Sequence, residues 1–370
     1  MARRILIVPD KFKGTLTARQ AAEAIARGWR KVHAKDFLEL LPMSDGGDGF
    51  GEVLSDLLGA RQHIVTTVDA AHRTLRCVWW LAKSKTAIIE SAKVNGLAML
   101  AGNGFNPFQL DTFGLGKVLR AAEKVGAPEC IVGVGGSATN DAGFGMARAL
   151  GWKFFGRGGK ELEEWWQLSD LVEIRAPDAP LRMRVVVAVD VHNPLLGATG
   201  CSRVYGPQKG LRPEDLELTE KCLARLAFLL RKQHQLDFAD APGAGAAGGL
   251  GFGLAAFAGA SIESGFDLFA HYARLGKHVD AADLVITGEG RMDEQTLMGK
   301  GVGQIARRCA RGGVPCIGLA GAVEESVRDS KLFARTNALT EIANLSRAKS
   351  QAPRLLEELS EETARAWTAD

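Results

Sequence analysis

The sequence has no Cys-x-x-Cys pair, no apolar run approaching the ~18 residues of a membrane span, and no large surplus of charge of either sign. Cys77, Cys130, Cys201, Cys222, Cys309 and Cys316 are scattered, a distribution that indicates neither a zinc site nor a disulfide framework and points to a reducing, cytoplasmic compartment. The net charge is +3, too small to suggest a nucleic-acid or membrane partner. After Arg3 and Arg4 the chain goes directly into a strand-like Ile5-Leu6-Ile7-Val8, so no signal peptide is expected. A Walker-type phosphate loop is missing too: Gly299-Lys300 lacks both the upstream glycine and the following Ser or Thr.

What remains is an ordinary globular balance, 46% hydrophobic and 24% charged, over 370 residues. That length predicts two domains, since single cores stop growing at roughly 250 to 300 residues. The stretch that organises the chain is 130–146. Cys130-Ile131-Val132-Gly133-Val134 reads as a strand buried on both faces, and Gly135, Gly136, Ser137, Thr139, Asn140 and Asp141 follow it. A glycine turn at the carboxyl end of a buried strand lets backbone amides approach an anion, phosphate first of all. A tight strand-to-helix turn that binds nothing is the alternative.

The rest of the chain alternates between two patterns. Strands at 5–8 and 38–41 flank a helix that opens on the capping box Thr17-Ala18-Arg19-Gln20 and ends near Trp29. The second strand runs into Ser44-Asp45-Gly46-Gly47-Asp48-Gly49, where two carboxylates three residues apart suit a divalent metal or substrate hydroxyls, or a turn in which Asp caps the next helix. From 62 to 92 the alternating runs predict antiparallel strands of a different sheet, and a helix with Leu115, Val118, Leu119 and Ala122 on one face leads into the strand at 130. A Val-rich strand over 184–189 ends at Asp190, placed for chemistry or for an Asx turn before Pro194. The small-residue stretch 242–253 reads either as a phosphate cradle or as a close-packed helix. Strands at 283–287 and 314–319 restore the first pattern, and the loop predicted after the former carries Glu289, Arg291 and Asp293.

Five strands, at Ile5, Leu38, Ile131, Leu284 and Cys316, thus alternate with helices, and in an open parallel sheet the loops after them gather at one edge. The predicted fold is α/β: a parallel five-stranded domain over 1–61, 105–151 and 271–370, interrupted by a second α/β domain with a mixed sheet over 62–104 and 152–270, with a cleft between them.

Pro9-Asp10-Lys11-Phe12-Lys13-Gly14, Met43-Ser44-Asp45-Gly46-Gly47-Asp48-Gly49, Gly133 to Asp141, Asn193-Pro194-Leu195 with Gly206-Pro207-Gln208-Lys209-Gly210, and Thr287-Gly288-Glu289-Gly290-Arg291 with Asp293 resemble, in order, the type I bacterial glycerate kinases. The resemblance implies a flavodoxin-like domain, magnesium dependence and ATP-dependent phosphorylation of D-glycerate to 2-phosphoglycerate. The chain departs from the family pattern at Lys11, where Ser is usual, at Ser44, where Ala is usual, and at Asp48-Gly49-Phe50, where Glu-Gly-Thr is usual.

Phosphoryl transfer asks a protein to align reactants and neutralise charge. On that reading Gly135, Gly136, Ser137, Thr139 and Asn140 cradle ATP phosphates, Lys209 and Arg291 are cationic clamps, and Glu289 and Asp293 are the metal candidates. Asp190 is the favoured general base, with Asp45 the alternative, and Lys13 or Arg291 binds the glycerate carboxylate. Two other readings compete. Gly133-x-Gly135-x-x-Ala138 formally matches the dinucleotide fingerprint, with Arg157 where an NADP-selecting cation belongs, which predicts an oxidoreductase of a small hydroxy acid. A non-catalytic sensor of a phosphorylated metabolite is the other.

Overall fold

The computed structural model describes residues 2–100, 104–299 and 301–367; Lys300 of the Walker comparison lies outside them. Among the described residues the chain forms two compact units, Met1–Asp45 with Phe266–Asp370, and Gly46–Gly265. It leaves the first unit once and returns once.

The first unit is built on a five-stranded, wholly parallel sheet, in the order Arg335–Ala338, Cys316–Val323, Leu284–Met292, Arg4–Pro9, Phe37–Leu40. Counted within this unit that is the 2-1-3-4-5 order of flavodoxin-like sheets. Ile5, Leu6, Ile7 and Val8 are all fully buried, as expected of a strand covered by helices on both faces. The capping box at Thr17 forms: its hydroxyl accepts the Gln20 N–H and the Gln20 side chain accepts the Thr17 N–H. The helix it opens, Ala18–Val32, packs on the last helix, Ala352–Ala366. Gly28 permits that approach, since a Cβ there would lie 2.2 Å from the Glu357 carbonyl oxygen, and Arg27 and Lys31 pair with Glu357 across the seam.

The second unit holds a six-stranded mixed sheet, in the order Ser261–Ser264, Arg184–Val189, Glu129–Gly133, Thr86–Glu90, Thr74–Leu81, Arg61–Val68. The first four run parallel and the last two are antiparallel additions. Its core gathers Trp79, Phe144, Phe154, Trp165 and Phe252.

A parallel sheet beside a mixed one is what the sequence predicts, but strand membership differs. Glu129–Gly133 pairs in the second sheet, between Thr86–Glu90 and Arg184–Val189, and not in the first. A continuous apolar run marks a strand covered on both faces without saying which sheet covers it. The fifth strand of the first sheet is instead Arg335–Ala338, where only Ala338 is buried, so no apolar pattern announces it. Lys153–Gly156 pairs with Leu171–Arg175 in a separate two-stranded ribbon. The predicted loop at 288–292 is a strand: Leu284–Met292 continues through Gly288, Glu289 and Gly290, because Gly288 lies flat against the neighbouring strand, 2.0 Å from the Leu319 oxygen measured from a would-be Cβ.

Candidate active site

In the second unit, the parallel strands Thr86–Glu90, Glu129–Gly133 and Arg184–Val189 end in segments that pack on one another. A Cβ at Gly135 would lie 2.5 Å from the Gly47 Cα, and one at Gly46 would lie 3.1 Å from the Ala188 oxygen. Gly135 donates its N–H to the Gly46 oxygen at 3.3 Å. Glu90, 4% exposed, ends its strand by accepting the N–H groups of Gly49 and Gly51 at 2.9 and 3.0 Å, and burial pushes its carboxyl up. The helix Phe50–Leu57 is therefore capped by Glu90 and not by Asp45 or Asp48.

The 135–140 turn has an outside and an inside. Gly136 is exposed and Gly135 half-buried, whereas Ser137, Thr139, Asn140 and Lys209 are buried. The Lys209 ammonium donates to the Ser137 hydroxyl at 3.1 Å and to the Thr139 carbonyl at 2.7 Å. Ser137 in turn donates to the Ala247 oxygen at 2.9 Å. Burial lowers the Lys209 pKa to about 8 even though Cys201 and Asp141 oppose the shift. Asn140 donates to the Ser202 hydroxyl at 2.9 Å and its Oδ1 is buried with no partner. Ala247, Gly248 and Gly249 close the inside with three successive left-handed residues. A Cβ at Gly248 would lie 2.0 Å from the Thr139 oxygen and 2.8 Å from the Lys209 Nζ, so no larger residue fits.

Asp141 is wholly internal. Its Oδ2 accepts from the Thr112 N–H, the Thr112 hydroxyl and the Gly145 N–H at 3.0, 2.8 and 2.9 Å, and burial with nearby Asp111 raises its pKa to about 6. Asp190, by contrast, stands exposed just past the end of its strand. Its charge, after burial, helps push up the Tyr205 hydroxyl, which donates to the Asn193 Oδ1 at 2.6 Å.

In the first unit the strand ends carry carboxylates. Asp10 follows Arg4–Pro9, is nearly buried, and accepts the Lys11 N–H at 2.7 Å. Burial first, then the charges of Asp45 and Glu289, hold its carboxyl well above the usual carboxylate range. Glu289 accepts from the Thr296 hydroxyl at 2.7 Å. Asp293 caps the short helix Glu294–Met298, accepting the Gln295 N–H at 2.9 Å. Arg291 is exposed and paired with Glu324 at 2.6 Å and, more loosely, with Asp293 at 3.9 Å. Lys13 is exposed, its backbone N 3.1 Å from the position of a would-be Gly290 Cβ.

Asp45 and Glu289 both act on Asp10 through their charge, and carboxylate oxygens are the donors that a hard divalent ion takes. Among the described residues no group of three or more His, Cys, Asp or Glu is arranged as a metal site. Magnesium in phosphate-transfer sites relies on one or two carboxylates, with phosphates and water completing its shell. The dinucleotide reading loses its context: after Glu129–Gly133 the next helix, Phe144–Ala149, begins only beyond a ten-residue irregular segment, where the fingerprint requires a helix opening on the glycines.

Residues 5–368 match the family model described as the glycerate kinase family. The chain belongs to that family. Within it, the chain is 38% identical over 332 residues to the glycerate kinase of Bacillus subtilis (strain 168), covering 88% of this chain and 86% of that protein. It is 36% identical over 334 residues to the glycerate 2-kinase of Escherichia coli (strain K12), again covering 88% and 86%. A crystal structure from Salmonella typhimurium LT2, provisionally described as glycerate kinase 2, superposes with a TM-score of 0.83 at 32% identity, over 99% of this chain and 98% of that one. Membership of a glycerate kinase family implies a nucleotide as phosphoryl donor and a small-molecule acceptor. No helix among the described residues is long and apolar enough to cross a membrane.

Set against the sequence reading, the structure brings Ser137, Thr139, Asn140 and Lys209 together beneath Gly135 and Gly136, and Asp45 and Glu289 each act by charge on Asp10. Asp293 is occupied as a cap, and the Arg291 charge is directed at Glu324. The sequence reading names neither Glu90 nor Asp10 among its candidates. A lone carboxylate at the end of the apolar run Ala87-Ile88-Ile89 was the available signal for Glu90; for Asp10 it was the polar loop that follows the first strand.

Proposed function

We propose that this protein transfers the γ-phosphoryl group of ATP to D-glycerate, giving 2-phosphoglycerate, in a magnesium-dependent reaction in the cytoplasm. The single observation that carries the reading is the glycerate kinase match along nearly the whole chain. The glycine turn with exposed backbone at Gly135 and Gly136 and a buried ammonium under it supports a phosphate site. In the proposed roles, Gly135 and Gly136 present backbone to the nucleotide phosphates, while Ser137, Thr139, Asn140 and Lys209 complete the turn from below. Asp190, exposed at the end of a buried strand, takes the proton of the attacking hydroxyl, with Asp45 the alternative base. Asp45, Glu289 and Asp10 are the residues that would hold magnesium, with Asp293 adding charge nearby. That ion, when bound, neutralises charge on the phosphates. Lys13 is the better candidate for the glycerate carboxylate, because Arg291 is already paired with Glu324.

The test is ATP consumption with D-glycerate, L-glycerate and glycerol, with NMR identification of the phosphorylated carbon. Turnover restricted to D-glycerate with phosphate on C2 is expected. Absence of turnover with D-glycerate ends the proposal, and phosphate on C3 ends its regiochemistry.

A further inference from the structure

Lys209 has the chemistry of a phosphate clamp and the placement of something else. It is 6% exposed, and both acceptors recorded for its ammonium belong to the 137–139 turn: the Ser137 hydroxyl and the Thr139 carbonyl. The hydroxyl that accepts from the ammonium donates in turn to the carbonyl of Ala247, the first of three left-handed residues. Gly248 then runs so close to the Nζ that a Cβ would lie 2.8 Å from it. Three segments far apart in sequence, 207–209, 137–139 and 247–249, therefore close around one charge. The backbone of the last is held in conformations that cost free energy at Ala247, which persist only when surroundings over-determine them. A neutral side chain of similar length could fill the space but could not supply charge-assisted donors to a hydroxyl and a carbonyl together.

We infer that Lys209 is a positioning residue: its ammonium is the internal tie that fixes the 135–140 turn and the left-handed 247–249 segment in phosphate-accepting shape, and it does not itself touch the nucleotide. The inference rests on the proposed nucleotide site and goes beyond it by separating the residues that meet the phosphates from the one that shapes their seat. Lysine is required over arginine because a compact ammonium fits between two acceptors on one turn, whereas a planar fork does not.

A double-mutant cycle on kcat/KM for ATP tests it, using Lys209→Met, Ser137→Ala and the double variant. If the ammonium works through the turn, Lys209→Met lowers kcat/KM for ATP by about 10²-fold, Ser137→Ala by about tenfold, and the double variant is no worse than Lys209→Met within threefold. Multiplying losses, near 10³-fold in the double variant, would mean that Lys209 acts on the nucleotide independently of the turn and would overturn the inference. Should Lys209→Met fail to fold, NMR of the wild-type Lys209 ammonium decides. A signal that stays in place on saturation with ATP supports the tie, and a large displacement of its Nζ resonance overturns it. If wild-type protein binds ATP in calorimetry and both single variants bind it equally well, the turn is not the nucleotide site. That result sinks the underlying reading and the inference with it, distinguishably from the additive outcome.

Discussion

The two sheets end in opposite ways. In the first unit, burial first and then the charges of Asp45 and Glu289 hold the Asp10 carboxyl well above the usual carboxylate range. In the second unit Glu90 caps a helix, Asp141 collects three buried donors beside Asp111, and Asp190 stands exposed. The same residue type does unlike work because its neighbours differ. A buried carboxylate facing other negative charges is pushed towards its neutral form, whereas one that collects N–H and O–H donors has its charged form favoured by them.

The contrast can be broken most decisively at Asp190. Asp190→Asn should keep its melting temperature within a few degrees and lose about 10²- to 10⁴-fold in turnover, as removal of a general base does. Near-wild-type turnover would transfer the role to another carboxylate, Asp45 first.

Next in size is a stability effect at Asp141. Its folded pKa, about 6, lies above the ordinary aspartate range, so as pH rises the unfolded chain releases this proton before the native one does. The contribution of a neutral, buried Asp141 is therefore present below about pH 4 and is lost as pH climbs through 6, by roughly 3 kcal/mol. Asp141→Asn lacks this titration. Urea midpoints at pH 4.5 and 6.5 should show the stability of wild type declining relative to the variant over that window. Parallel pH dependences for the two proteins would show that the carboxylate is not strained by burial.

Smallest is the expected change in the first unit. Glu289→Gln removes one charge from the crowded cluster, which should raise the magnesium concentration for half-maximal activity by about tenfold while leaving the melting temperature unchanged or higher. An unchanged magnesium requirement would remove Glu289 from the metal candidates and leave its bond to Thr296 as its role.

Much of this was legible in the residues. The capping box at Thr17, the helix before Gly126, the strand endings and the glycine turn all carry local signals, and local chemistry decides them. Which sheet receives a buried strand is decided by partners far along the chain, which is why the Ile131 strand was assigned to the wrong sheet and the barely apolar Arg335–Ala338 went unseen. The site divides along the same line. Serine, threonine, asparagine and lysine beside a glycine pair read equally well as ligand contacts or as supports. Only burial, which no single sequence displays, separates the exposed Gly136 from the enclosed Lys209. Asp293 likewise reads as a metal ligand and as a helix cap, and its N–H partner at Gln295 favours the cap.

The first unit is assembled from the two ends of the polypeptide, with roughly 220 residues of the second between them. Its first strand in the chain, Arg4–Pro9, takes one partner, Phe37–Leu40, from nearby and the other, Leu284–Met292, only after that long interval. At a ribosomal rate of about 5–20 residues per second, residues 1–45 emerge roughly 12–50 seconds before their missing neighbour. Throughout that interval the strand that buries Ile5, Leu6, Ile7 and Val8 in the folded protein has one edge without its partner, an edge open to pairing with another chain.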